Sequence, residues 1–231
     1  MSEKEVKAVH DGAGHRARLR QKLADSGGEA LHDHELIEYL LALAIPRRDT
    51  KPLAKALLRE FGGIGGLMTA DWQAIARVPG MGDTSIAAIK IVQATLLRML
   101  RNTVQEKPVL ASWQALLDYL RADMAFLPVE RVRVLHLNSR NMLIRDEHMG
   151  DGSIDQAAIY TREVIRRAID LGSSALILVH NHPSGSPDPS RQDIEITRQI
   201  ADAGKRLNIA VHDHIIIGSQ GHSSLRAMGL L

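Results

Sequence analysis

Apolar residues at Leu36, Ile37, Leu40, Leu41 and Ala44 recur at helical spacing, and Pro46 stops the run. The same period predicts a helix over 52–59, closed by Phe61-Gly62-Gly63. A third helix follows Asp71, a suitable N-cap, and carries Trp72, Ile75 and Ala76 toward a core. A fourth starts near Thr84 and continues through Ile86, Ile89, Val92, Leu96, Leu97 and Leu100. The polar stretch 102–108 then reads as a linker. Beyond it the period changes. Residues 113–121 form a short amphipathic helix, 132–138 alternate like a strand, and Asn138-Ser139-Arg140-Asn141 suits a hairpin turn into a second strand around 142–147. A helix is expected over 161–171, a buried strand over 175–182, a helix over 190–207 and a strand over 209–218. The expectation is an α+β chain: an all-helical domain over 1–103, then an α/β sandwich over 108–231.

Composition narrows the setting. The 231 residues are 45% hydrophobic, enough to bury a core, but only 3% aromatic, so that core is built from Leu, Ile, Val and Ala. The absence of cysteine excludes disulfides and any Cys-ligated zinc, and fits a reducing, cytoplasmic setting. The charged start Met1-Ser2-Glu3-Lys4-Glu5 lacks the apolar segment of a signal peptide. The longest apolar runs, such as 175–179, are too short to span a membrane, so no membrane partner is expected. The net charge of +2 does not announce a nucleic-acid binder. Residues 1–105 hold 15 Lys/Arg against 12 Asp/Glu, and the remainder 14 against 15. The basic cluster Arg16, Arg18, Arg20 and Lys22 reads equally as a solvated helix face or a DNA contact.

Between the third and fourth helices lies Val78-Pro79-Gly80-Met81-Gly82-Asp83-Thr84. Gly80 and Gly82 permit a tight turn whose amides converge at a helix start, where a phosphate can be held. The stretch resembles a helix–hairpin–helix module, which binds DNA backbone without reading sequence. A compact hairpin used for packing is the plainer reading, and Asp83, placed where an anion would approach, counts against DNA.

The densest chemistry runs from Val179 to Asp193. Side chains i and i+2 of a strand share a face, so His180 and His182 point the same way at the strand's end. Pro183, Gly185, Pro187 and Pro189 stiffen the loop that follows, Ser190 opens a helix, and Asp193 falls in its first turn. Two imidazoles and a carboxylate suit zinc with one coordination position left open, the arrangement of a catalytic site. Zinc lowers the pKa of water to about 7. Ser190-x-x-Asp193 alone is an ordinary capping box.

The joint spacing resembles the JAMM/MPN metalloprotease motif, and the whole chain is similar to the RadC family. Gly14-His15-Arg16-Ala17-Arg18-Leu19-Arg20, Glu35-Leu36-Ile37-Glu38, Ile45-Pro46-Arg47-Arg48-Asp49, Leu137-Asn138-Ser139-Arg140-Asn141 and Asp213-His214-Ile215-Ile216 carry that similarity beside the metal motif. The resemblance implies a cytidine-deaminase-like α/β sandwich in which His180, His182 and Asp193 bind zinc and Ser190 donates to an oxyanion. It also implies an upstream glutamate as general base. Glu130, Glu147 and Glu163 precede the histidines; Glu130, fifty residues before His180, matches the family's separation, with Glu147 in reserve. In the second His-x-His, His212 and His214, Asp213-His214 is the recurring pair, joined by a structural hydrogen bond rather than a metal. Arg166 and Arg167 read as solvated.

The leading expectation is zinc-dependent hydrolysis of a peptide or isopeptide bond. A DNA-associated repair or recombination factor using the front module is the alternative. A metal-dependent phosphodiesterase ranks lower, because such enzymes often use two metals and this chain supplies ligands for one. The pattern names neither the substrate nor an oligomeric state.

Overall fold

A computed structural model describes residues 3–152 and 160–231. Met1 and Ser2, at the head of the charged start, lie outside the described residues. The chain divides into two compact units, Met1–Ala94 and Thr95–Leu231. The described chain is α+β, with helices first and a mixed five-stranded sheet with helices after. Among the described residues, no helix is long and apolar enough to cross a membrane.

The first unit contains α1 (Glu3–Ser26), α2 (Asp33–Ala44), α3 (Lys51–Glu60), α4 (Ile64–Thr69), α5 (Trp72–Ala76) and the first part of α6 (Asp83–Gln105). Ile37 and Leu41 of α2, Leu53 and Leu57 of α3, Leu67 of α4, Ile75 of α5, and Ile86 and Ile89 of α6 make one buried cluster. Asp71 caps α5 as its sequence predicts, accepting from the Ala74 amide at 2.6 Å. Trp72, expected in that core, is 39% exposed instead. With only five residues in α5, Ile75 alone fills the inward position.

Two helices escape the sequence reading. α4 begins directly after the Phe61-Gly62-Gly63 stop and itself contains Gly65 and Gly66. A Cβ on Gly66 would stand 1.9 Å from the Phe61 carbonyl oxygen, so the glycine serves a close approach rather than a break. In α1 the basic residues do local work. Arg16 donates to the carbonyls of Ile45, Pro46 and Arg48 just past the end of α2, and Lys22 pairs with Glu35 at 3.1 Å. Two members of the apparent basic cluster are thus held by the fold.

The expected linker is also partly helical. α6 continues through Gln105, because Val104 is fully buried in the core of the second unit. Burying such a side chain contributes about 1.5–3 kcal/mol, more than the helix propensities of Asn102 and Thr103 oppose.

The second unit follows a 3-10 turn at Val109–Ala111 with α7 (Trp113–Met124), β1 (Arg131–Leu137), β2 (Leu143–Asp151), α8 (Thr161–Asp170), β3 (Ala175–Asn181), α9 (Arg191–Lys205), β4 (Ala210–Gly218) and β5 (Gly221–Ser224). The sheet order is β2-β1-β3-β4-β5, with β3 and β4 parallel and the other pairs antiparallel. The predicted hairpin forms between β1 and β2: Asn138 Oδ1 accepts from the amides of Arg140 and Met142, and Asn141 takes the left-handed conformation that asparagine tolerates. β3 is buried along its whole length, which is why it reads as an uninterrupted apolar run.

Helix α7 covers one face of the sheet, packing on Leu135, Leu137, Ile177, Val179, Ile215 and Ile217. α8 and α9 cover the other, packing on Val134, Leu176, Leu178 and Val211. On the α7 face Arg133 is buried with Tyr119, Asp123 and Asp146, joining helix to sheet. Burial opposes its charge, but the carboxylates outweigh burial and hold the guanidinium pKa up. Burial pushes the Tyr119 hydroxyl up to about 12.

Strand β4 carries one irregularity. Leu176 pairs with Val211 and Ile177 with Asp213, leaving His212 as an extra residue. Without it, His214 would fall on the α7 face; with it, His214 joins Leu178 and His180 on the α9 face.

Candidate metal centre

His180 is the penultimate residue of β3, and His182 is the first residue beyond its last, Asn181, with its backbone amide donating to the Ile217 carbonyl at 2.9 Å. That last bond prolongs the β3–β4 pairing, so the two imidazoles keep one face, as period two predicts. Their Nε2 atoms stand 2.9 Å apart. The loop beyond is held by close backbone packing. Gly185 has a positive φ, and a Cβ on Gly218 would lie 2.2 Å from the Gly185 carbonyl oxygen. This packing places the Ser186 carbonyl 3.0 Å from His182 Nδ1. A carbonyl only accepts, so His182 carries its proton on Nδ1 and presents Nε2 to the site.

Ser190 caps α9 as a full capping box: its hydroxyl accepts from the Asp193 amide at 3.1 Å and its amide donates to Asp193 Oδ2 at 2.7 Å. The plain reading of this pair is therefore true, and it has a second consequence. The cap turns the Asp193 carboxylate inward, with Oδ1 3.3 Å from His180 Nε2 and Oδ2 3.7 Å from His182 Nε2. The Ser190 hydroxyl, serving as acceptor in the cap, keeps its own proton for another partner.

Glu130 immediately precedes β1, and its Oε1 lies 3.9 Å from His180 Nε2. Glu130, His180 and His182 together offer ligand atoms within 4.8 Å of one another. Asn181, between the histidines and therefore on the opposite face, clamps this glutamate. Its Oδ1 accepts from the Arg131 amide at 2.8 Å and its Nδ2 donates to the Val129 carbonyl at 3.2 Å, bracketing Glu130 on both sides. Gly152 donates its amide to the Glu130 carbonyl at 2.7 Å. Nothing in an Asn between two histidines announces that role.

The other carboxylates lie elsewhere. Glu147 Oε1 is held by Arg167 at 2.8 Å and its Oε2 faces His136 Nε2 at 3.3 Å. His136 is four positions along β1 from Val132, the partner of His180, or about 13 Å away. Glu163 pairs with Arg166 at 3.0 Å on the exposed face of α8. Arg167, read as solvated, is a partner of Glu147 instead, because the β2 strand brings that carboxylate over α8. The Asp213-His214 pair is joined by the expected hydrogen bond, made through the His214 backbone amide at 2.7 Å, and the His214 ring is left for other partners. Asp213 accepts from the His214 backbone amide, from the Arg226 amide and from Ser224 Oγ, whereas the His214 ring contacts His180 at 2.8 Å and Thr197 at 2.6 Å. His212 turns to Asn141, at 2.7 Å. In the first unit Arg48 lies against Gly80, and the Gly82 amide donates to Ser85 Oγ at 3.0 Å.

Electrostatics divide the histidines. Burial pushes His180 well below the ordinary imidazole value, reinforced by His214 and His182. Burial pushes His214 down to about 4. His182 is raised, chiefly by the facing Asp193 carboxylate. Burial opposes ionisation of Asp193, but His182, His180 and Ser190 together hold its carboxyl well below the usual range. A tetrahedral zinc with bonds of about 2.0–2.1 Å sets neighbouring ligand atoms about 3.3 Å apart. The two Nε2 atoms stand 2.9 Å apart, and one Asp193 oxygen lies 3.3 Å from His180 while the other lies 3.7 Å from His182, on either side of that value. The residues present fit the ion.

Residues 110–230 match the RadC-like JAB domain family, and residues 13–87 match the UPF0758 N-terminal family. A relative from Rhodobacter capsulatus, called UPF0758 protein, is 47% identical over 213 residues, covering 92% of this chain and 100% of the relative.

Proposed function

We propose, from the premise that this chain belongs to the RadC family of JAB-domain proteins, that its second unit is a zinc-dependent hydrolase of peptide or isopeptide bonds. One observation carries the reading: two imidazole nitrogens and a carboxylate converge within 3.7 Å, with the proton of His182 held on its far side by Ser186. His180, His182 and Asp193 would hold the metal. Asp193 is a better third ligand than Glu130, because its Oδ1 lies 3.3 Å from His180 Nε2, against 3.9 Å for Glu130 Oε1. A bound zinc supplies Lewis acidity, polarising an amide carbonyl and making water more acidic. The Glu130 carboxylate, carried on a backbone held by Asn181 and Gly152, accepts the proton of the attacking water and returns it to the leaving nitrogen. The Ser190 hydroxyl donates to the carbonyl oxygen as it gains negative charge.

The test is elemental analysis of dialysed wild type beside His182→Ala and Glu130→Gln, followed by a screen against peptide and isopeptide-linked substrates. The expected result is about one zinc per chain in wild type and Glu130→Gln, none in His182→Ala, and cleavage by wild type alone. Wild type that takes up no zinc overturns the proposal, as does cleavage retained by Glu130→Gln.

Binding of DNA phosphates by the 78–84 loop is a second reading, favoured by the Arg48 guanidinium against Gly80. It predicts salt-sensitive DNA binding that weakens in Arg48→Ala. Salt-insensitive retention, or an unchanged affinity in that variant, refutes it.

A further inference from the structure

A ligating histidine has two ring nitrogens, and a metal can use only the one without a proton. His182 is fixed by the Ser186 carbonyl, but among the described residues His180 meets no carbonyl at its Nδ1. Its Nδ1 instead faces another imidazole, His214 Nε2, at 2.8 Å. Two neutral imidazoles can satisfy that contact in either direction, and one direction puts a proton on His180 Nε2, where the metal should bind. Something must break the symmetry.

Thr197 does so. It lies on α9 one turn beyond Asp193, and its hydroxyl donates to the Asp193 carbonyl. That carbonyl only accepts, so the single hydroxyl proton is committed there. The same oxygen is 2.6 Å from His214 Nδ1 and can now only accept. His214 therefore bears its proton on Nδ1 and offers a lone pair at Nε2. His180 must then donate from Nδ1, which leaves His180 Nε2 bare and pointing at His182 and Asp193. Thr197, His214 and His180 are all buried, so no bulk water competes for these contacts.

We infer that Thr197 and His214 form a hydrogen-bond relay that sets the tautomer of His180 and thereby readies it as a ligand. Both are positioning residues. The relay also ties two ligands together, since Thr197 holds the backbone of Asp193 with the same hydroxyl that orients the His214–His180 pair. The inference rests on the zinc reading for its purpose, but its geometry belongs to the metal-free protein.

The test uses the full chain with 15N-labelled histidine, stripped of metal. Long-range proton–nitrogen correlation distinguishes protonated from bare ring nitrogens. In wild type, His214 and His180 should each carry the proton on Nδ1. In Thr197→Val, which keeps shape and loses the hydroxyl, His214 should populate the other tautomer. Zinc affinity, read by chelator competition, should fall about 10–100-fold. Thr197→Ser should restore both readouts.

A wild-type His214 protonated on Nε2 overturns the relay, and that measurement stands even if Thr197→Val does not fold. Loss of zinc affinity in Thr197→Val with the tautomers unchanged also overturns it, assigning Thr197 to the Asp193 backbone alone. The expected tautomers in a wild type that takes up no zinc would support the relay while overturning the proposed hydrolase.

Discussion

Gly218→Ala isolates the dependence of the metal centre on backbone packing. Gly218 does not need glycine for its φ, so an alanine adds a methyl group without backbone strain. That methyl carbon would lie 2.2 Å from the Gly185 carbonyl oxygen and 3.2 Å from the Pro187 nitrogen, where ordinary contact begins near 3.4 Å. The loop must retreat by about 1 Å. Gly185 cannot yield freely, because its carbonyl accepts the Gln220 amide at 3.1 Å. The overpacking should cost about 1–3 kcal/mol of stability. The same retreat carries Ser186 away from His182 Nδ1. Zinc sites tolerate ligand displacements of only about 0.2 Å, so affinity should fall at least 10–100-fold, or about 1.4–2.7 kcal/mol. Chelator competition measures the affinity, urea unfolding of metal-free protein the stability. Gly82→Ala, with no atom within 4 Å of its added carbon, is the control. A Gly218→Ala protein with wild-type zinc affinity would falsify the claim that this contact positions His182.

Three further outcomes are expected of the same molecule. Because Asp193 raises His182 while a metal requires its neutral ring, zinc affinity should be full at alkaline pH and fall as pH drops through a value above 6.5. The slope should approach tenfold per pH unit for one proton, and a flat chelator-competition profile between pH 8.5 and 6 refutes it. Arg133→Met leaves Asp146 buried without its cation and should destabilise the protein by about 3–5 kcal/mol; Arg133→Met with Asp146→Leu should recover part of that in urea unfolding. Equal stability of the single and double variants would contradict this account. Asn181→Leu should accelerate hydrogen exchange at the Arg131 amide yet leave zinc stoichiometry at one, and unchanged protection there would dismiss the clamp on Glu130.

The sequence made some of this legible for definite physical reasons. His180 and His182 share a face because a strand repeats every two residues, and Asp193 is placed by a capping box whose spacing is local. Such short-range rules need no knowledge of the partner strands. The contacts that complete the site are long-range. Asn181 reaches the residues on either side of Glu130 across some fifty residues, and Thr197 meets His214 only because α9 packs on the sheet face beside β4. Trp72 and Val104 show the same limit: the helical period located α5 but not the burial of Trp72, and it placed Val104 in a linker although the core of the second unit draws it into α6. The short α4 went unread beyond the Phe61-Gly62-Gly63 stop, because what Gly66 provides is a close approach to the Phe61 carbonyl and not a pattern of apolar positions.

The extra residue in β4 changes how this chain can vary. Among the described residues the His212 ring hydrogen-bonds to Asn141, so its side chain is replaceable at modest cost. Its peptide unit is not. Deleting one residue there would invert everything downstream in the strand, sending His214 toward α7 and Ile215 and Ile217 toward α9, and exchanging a polar anchor for two apolar cores in one step. Residue count at this point thus carries more information than residue identity. Within the family, substitutions at this position should be frequent while single-residue losses should be absent, unless a second length change nearby restores the phase.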